Sequence, residues 1–237
     1  NNIILIDDDC IPDKNFINSY LNDFSKIGED TILSGIVLYP KEYIKKYNHI
    51  KFKQSRHFTF KKKNIDEYLD PDKIVAMNMG FIKSDKITKL GLFNENFTGY
   101  GFEDYEFAYR YYKNGFKLEQ TSATIIHDEG HPDINSYIKK YYHLGRDGMQ
   151  NLININIDGA KETIYYKIEK NWIFNFISKV YGIKKIIKIL EKFISKLDKI
   201  NKVYIPFTIN FLRLISYLRG YIDRDLNKIN LNKNWYE

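Results

Sequence analysis

Carboxylates gather at two points of this sequence. Asp7-Asp8-Asp9 closes an apolar run, and Glu103-Asp104 follows the loop Gly99-Tyr100-Gly101-Phe102. Three adjacent acids repel one another, and a counter-ion relieves that cost. Carboxylates at the end of a strand suit a hard divalent cation, which in turn binds phosphate oxygens. A ribose is the other ligand that fits such a cluster. The structural alternative for the first cluster is a polar turn, with Asp13 capping the next helix. For Glu103 and Asp104 it is the first turn of a helix, where acids offset the positive end of the dipole. His127 is a third candidate ligand, because it too follows a strand. His127 and His131 stand four apart, as in a zinc-protease helix. Glu129 is misplaced for that motif, and Gly130 and Pro132 break a helix where the motif needs one. His131 therefore reads as loop.

The elements that position these groups follow from hydrophobic periodicity. Ile3 to Ile6 is wholly apolar, the pattern of a strand buried on both faces of a parallel sheet. In open α/β sheets ligands bind at the carboxyl ends of strands, where Asp7 to Asp9 fall. Asn15 to Ile27 has helical spacing, with Phe16, Ile17, Tyr20, Leu21 and Phe24 on one face. Thr31 to Tyr39 reads as a strand. Val75 to Ile82 reads as a buried strand containing Asn78 and Gly80, and glycine within a strand marks close approach of a ligand or another backbone. Ser84 caps a short helix ending near Gly91. Gly101 lets backbone approach a ligand without a Cβ in the way. Glu103 to Arg110 is helical, Lys117-Leu118 starts a short strand, and Ala123 to Ile126 is another, ending at His127. From Ile134 the chain turns helical, interrupted at Gly145-Arg146-Asp147-Gly148. The fold class is α/β, with a helical C-terminal region.

Composition bounds the function. The chain has 237 residues, 43% hydrophobic and 16% aromatic, with a formal charge of +7. That suits one large domain, or one domain with a helical appendage, and an anionic partner. Tyr43 to Lys63 is basic and aromatic, which single-stranded nucleic acid would suit. More often such a stretch is a solvated loop face, and without an RNA-binding motif no nucleic-acid partner is expected. The single cysteine, Cys10, leaves no internal disulfide and no Cys-rich metal site. No apolar run reaches bilayer-spanning length. Trp172 to about Tyr221 alternates Lys with Ile and Phe around Pro206. It reads either as a helical hairpin packed on the domain or as an amphipathic surface on an anionic membrane.

The order strand, Asp-Asp-Asp, Asn78-Met79-Gly80-Phe81, Gly101-Phe102-Glu103-Asp104, strand, His127 resembles the metal-dependent GT-A glycosyltransferases of family 2. It looks closest to bacterial polysaccharide polymerases of the chondroitin-synthase kind and to the C-terminal half of galactosyltransferases. The matching region is roughly Ile3 to Met149. One departure is Phe102, where the family usually carries a second glycine. The resemblance implies a partial GT-A domain over residues 1–150 and a basic, amphipathic helical region over 151–237. It implies an inverting transfer of a sugar from a nucleotide-sugar, such as a UDP-sugar, to a saccharide acceptor in cell-surface polysaccharide synthesis. Asp9 and His127 would hold Mn²⁺ or Mg²⁺, and Asp7 would contact the ribose or the metal. Asp104 would be the general base, and Glu103 would hydrogen-bond the acceptor. Asn78, Gly80 and Gly101 would line the substrate. Such enzymes carry about a hundred residues before the Asp-x-Asp strand, a domain-sized nucleotide-binding portion. This chain begins at that strand, so the expectation is a fragment or one piece of a split enzyme. The expected setting is cytoplasmic, at the inner face of the membrane. The competing expectation is a non-catalytic module whose acids are caps and whose basic helices bind membrane or partner. A third is another metal-dependent, nucleotide-using transferase.

Overall fold

The computed structural model of the chain describes residues 1–56, 68–200 and 204–224. Of the basic, aromatic stretch Tyr43 to Lys63, the part that holds Lys61, Lys62 and Lys63 lies outside the described residues. The described chain divides into two compact units, one of residues 1–45, 50–94 and 103–132, the other of 46–49, 95–102 and 133–237. Residues 133–150 thus group with the second unit, together with 46–49 and 95–102.

The first unit holds the sheet. Its strands are β1 (Asn2–Ile6), β2 (Cys10–Pro12), β3 (Thr31–Leu38), β4 (Asn78–Ile82) and β5 (Lys117–His127). They lie in the order β1-β4-β3-β5-β2. Among the described residues only β3 and β5 pair in parallel, and the other three pairings are antiparallel. The sheet is therefore mixed. β1 is a half-exposed edge strand paired with β4, not the doubly buried parallel strand that its apolar run suggests. Lys117-Leu118 and Ala123 to Ile126 belong to one continuous strand of 11 residues.

Side chains alternate across the sheet with a period of two. Ile32, Met79, Phe81 and Leu118 face a core shared with Phe107, Ala108 and Tyr111. Leu33, Val37, Ala123 and Ile125 face the opposite core, shared with Phe16, Tyr20 and Phe24. The helix α1 (Phe16–Phe24) thus covers one face. On the other lie the short helix α4 (Asp85–Leu90) and α5 (Glu103–Lys113). In chain order, α2 (Lys41–Lys46) and α3 (Asn48–Arg56) follow β3. Burial of Phe16, Tyr20 and Phe24 leaves Ile17 and Leu21 exposed, so the apolar face of α1 is wider than its contact. Asn15 is the N-cap residue of α1, and Asp13 accepts its backbone N–H at 2.9 Å. Ser84 caps α4 by accepting from the Ile87 N–H, and Gly91 closes it with φ 76°. Arg110 of α5 braces that turn, donating to the carbonyls of Gly91 and Leu92 while paired with the buried Glu106.

The second unit is helical. Its helices are α6 (Ile134–His143), α7 (Met149–Ile155), α8 (Ile157–Glu162), α9 (Ile164–Glu169), α10 (Trp172–Ser178), α11 (Ile183–Leu197) and α12 (Pro206–Arg224). The interruption at Gly145 to Gly148 is a π-helical turn, Leu144–Gly148, that carries α6 into α7 without a break. Two glycines allow α12 to approach it at backbone distance. A Cβ on Gly220 would stand 1.9 Å from the Tyr142 carbonyl oxygen, and one on Gly145 would stand 2.1 Å from that of Tyr217. Arg224 of α12 donates to the Gly145 carbonyl at 2.6 Å and pairs with the buried Glu169, which also accepts from Tyr217. Among the described residues no helix is long and apolar enough to cross a membrane.

Candidate functional site

Sheet topology decides where the polar ends meet. β4 is antiparallel to both β1 and β3, and β5 is parallel to β3. β1, β3 and β5 therefore run the same way, and their carboxyl ends share one edge of the sheet. Asp7 to Asp9 follow β1, Tyr39 follows β3, and His127 ends β5. The short strand β2 turns back immediately and pairs Cys10 with His127. That register sets the Asp9 carboxylate against the imidazole: Asp9 Oδ2 lies 3.0 Å from His127 Nε2. The Asp128 N–H donates to the Asp9 carbonyl at 2.9 Å and locks the arrangement.

The pair sits at the surface on one side only. The Asp9 side chain is 43% exposed, and the His127 ring 7%. The Tyr39 ring flanks the imidazole at 5.6 Å between centroids. Lys53 of α3 pairs with Glu129 and lies over the Tyr39 ring, its side chain 11% exposed. That lysine is therefore not part of a solvated basic face, as the charge run suggested. The Cys10 thiol donates weakly to Asp9 Oδ1 at 3.7 Å. Burial first, then the charges of Asp9 and Asp7, push that thiol up to about 12, so it stays protonated. Cys10 supports Asp9 rather than reacting. Its sequence signal was only its position, one residue past the carboxylate on a strand that pairs with β5.

Asp104 stands in the first turn of α5. The Ala76 N–H donates to its Oδ2 at 3.1 Å. Burial raises its carboxyl from the ordinary range to about 7, the hydrogen bond from Ala76 opposes that rise, and the charges of Glu103 and Asp7 add to it. Asp7 thus acts electrostatically on Asp104 and on the Cys10 thiol beside Asp9. It links the two carboxylate clusters that are far apart in sequence.

Three residues expected to line a substrate have packing roles in this fold. Asn78 is fully buried. Its amide donates to the carbonyls of Ile36 and Ala123 at 3.0 Å each, and its Oδ1 accepts from Tyr20 at 2.8 Å. Those bonds bridge β3 and β5 where their register shifts beside Gly35. Gly80 makes room for α1: a Cβ there would lie 2.5 Å from the Tyr20 ring. Gly101, in the helical unit, has φ 101°, and a Cβ would lie 2.4 Å from Leu144 Cδ1. The next residue, Phe102, has φ 75°. It occupies a left-handed conformation that glycine adopts without strain.

The donor set suits a divalent ion in type, since carboxylate and imidazole both ligate such ions, and the 3.0 Å between them is that of a direct hydrogen bond. Among the described residues no group of three His, Cys, Asp or Glu side chains is gathered for a metal. Two protein ligands suffice where phosphate oxygens and water complete the shell. The cost falls on His127 Nδ1, which is buried with no hydrogen-bond partner among the described residues. An ion on Nε2 would fix the ring proton at that atom. No protein-family model matches the chain, and no curated protein matches it in sequence.

Proposed function

We propose that the sheet unit is catalytic and that the chain is an inverting, metal-dependent glycosyltransferase of the GT-A kind. It transfers a sugar from a nucleotide-sugar, a UDP-sugar by the resemblance stated above, to a saccharide acceptor in polysaccharide synthesis. The observation that carries this reading is the 3.0 Å meeting of Asp9 and His127 at the carboxyl ends of co-directional strands. Asp7 couples that edge electrostatically to Asp104.

The residues divide the work by chemistry. Asp9 and His127 would hold Mn²⁺ or Mg²⁺, and mixed carboxylate and imidazole donors favour Mn²⁺. The ion, when bound, supplies Lewis acidity toward the departing diphosphate. Asp7 would contact the donor's ribose or the ion. Asp104 takes the proton from the attacking acceptor hydroxyl, and its carboxyl near 7 matches a base working at neutral pH. Glu103 hydrogen-bonds the acceptor.

Mn²⁺ titration followed by electron paramagnetic resonance tests the metal pair directly. Asp9→Asn and His127→Ala should each weaken binding at least about tenfold, a modest loss for altered metal coordination. Asp104→Asn should leave it unchanged. Equal Mn²⁺ affinity in all four proteins would remove the metal site from the reading.

The second reading is a module that contacts an anionic membrane through its helical unit. It is favoured by the exposed apolar residues Trp172, Phe176, Ile189 and Phe193, interleaved with lysines. The two readings are compatible, because they use different units.

A further inference from the structure

Within the helical unit, α6, α11 and α12 enclose an open cleft of about 600 Å³. Four cationic side chains line it against one carboxylate: Lys139, Lys188, Lys192 and Arg219, with Glu191. His143 also lines it. Glu191 and Arg219 lie deep, with side chains 9% and 16% exposed and Arg219 Nε donating to Glu191 at 3.0 Å. The Arg219 guanidinium is further held over the Tyr142 ring at 4.4 Å. The carboxylate is thereby neutralised by the arginine beneath the three lysines. Lys139, Lys188 and Lys192 are exposed and have no ion-pair partner among the described residues. Lys139 comes from α6, and Lys188 and Lys192 are one turn apart on α11, so ammonium groups approach the opening from two helices.

From this arrangement we infer that the cleft binds a phosphate-bearing anion larger than orthophosphate, such as a diphosphate or a phosphorylated sugar or headgroup. The uncompensated charge calls for a multiply charged ligand, and oxygens spread around phosphorus accept from donors on two sides at once. A water molecule takes up about 30 Å³ of liquid, so the cleft has room for far more than a single small ion. The site uses none of the sheet unit's carboxylates, and it stands whether or not that unit transfers sugars.

Calorimetric titration of the whole chain with inorganic pyrophosphate, in buffer of physiological ionic strength, tests the inference. The expected result is saturable binding at one site. Lys188→Gln combined with Lys192→Gln should weaken it about tenfold or more. Lys185→Gln combined with Lys196→Gln makes the same charge change on α11 outside the cleft and should move affinity less than about twofold. A parallel arm uses sedimentation with phosphatidic acid vesicles. Loss of vesicle binding in the cleft variant alone, without pyrophosphate binding, identifies a lipid headgroup as the source of the phosphate. Saturable pyrophosphate binding identifies a soluble one. Equal losses in the cleft and control variants, or no saturable binding in either arm, would overturn the inference.

Discussion

Asp104 and Phe102 carry the sharpest consequences for single residues. The Asp104 carboxyl titrates near 3.8 when unperturbed and is raised to about 7 by burial. Between those values the folded chain holds a proton that the unfolded chain has lost. Its contribution to stability is therefore complete below about pH 4 and is lost as the pH climbs through about 7. Asp104→Asn stays neutral, so thermal unfolding should find the variant gaining on the parent from pH 4 to pH 8. In sugar transfer the same substitution should lower turnover by about 10²–10⁴, the usual worth of a general base, with little change in metal affinity. Glu103→Gln should weaken acceptor binding instead. Near-normal transfer by Asp104→Asn would mean that another group is the base. At Phe102 the strain and the packing separate cleanly. Phe102→Ala keeps the left-handed backbone and loses the edge-on contact with Tyr165 at 5.8 Å. Phe102→Gly loses the same contact but relieves the strain. Chemical denaturation should find the glycine variant more stable than the alanine variant by about 1 kcal/mol.

Among the elements, α11 has more apolar surface than its neighbours cover. Successive residues are turned by about 100°. Ile187, Glu191 and Ile194 are buried along one line. Ile186, Ile189 and Phe193 form a second line that is 51%, 68% and 60% exposed. Lys185, Lys188, Lys192 and Lys196 fill the sector beside it. An apolar stripe bordered by lysines is how a helix lies in the interface of an anionic bilayer. Flotation with vesicles rich in anionic lipid should carry the chain upward. Ile189→Gln together with Phe193→Gln should reduce the bound fraction constant about tenfold or more, since burying each side chain is worth about 1.5–3 kcal/mol. Equal flotation of parent and variant would end the membrane reading of α11.

At the scale of the whole molecule, neither unit is one continuous piece of chain. The helical unit takes in residues 46–49 and 95–102 from within the sheet unit's sequence. His49 is what makes the first insertion costly to lose. Its ring Nδ1 meets Asp198 Oδ2 at 2.7 Å, and its backbone N–H donates to Asp198 Oδ1 at the same distance. Both side chains are 1% exposed, and Asn48 adds a bond to the Leu197 carbonyl at 3.1 Å. His49→Ala leaves a buried carboxylate without its ring partner. Equilibrium unfolding should find it less stable by about 3–5 kcal/mol, the cost of breaking a buried pair. A fragment starting at Asp133 lacks His49 altogether and should melt below the same helices in the whole chain.

Local chemistry was sufficient for much of the sheet unit. Hydrophobic period and caps are properties of neighbouring residues, so α1, the Ser84-capped α4, α5 with its acidic first turn, and the strand ending at His127 were legible in the sequence. The polar residues at strand ends were legible too, because the open end of a sheet is where such residues are tolerated. Strand direction was not: β1 looks like a parallel strand because apolar runs do not record which way their partner runs. Glycine was equally ambiguous. Gly80 accommodates the Tyr20 ring, and Gly101 and Phe102 occupy left-handed backbone, yet the sequence reads each only as a gap or an oddity. Asn78 is the same lesson for a polar residue, since only the register shift between β3 and β5 exposes the carbonyls that consume its amide. Contacts between residues distant in sequence were not legible either: His49 with Asp198 and Lys53 with Glu129. The sequence by itself determined the elements and the chemistry at their ends. The tertiary structure alone decided which ends meet, because pairing direction, register and close approach depend on residues that are not neighbours in the chain.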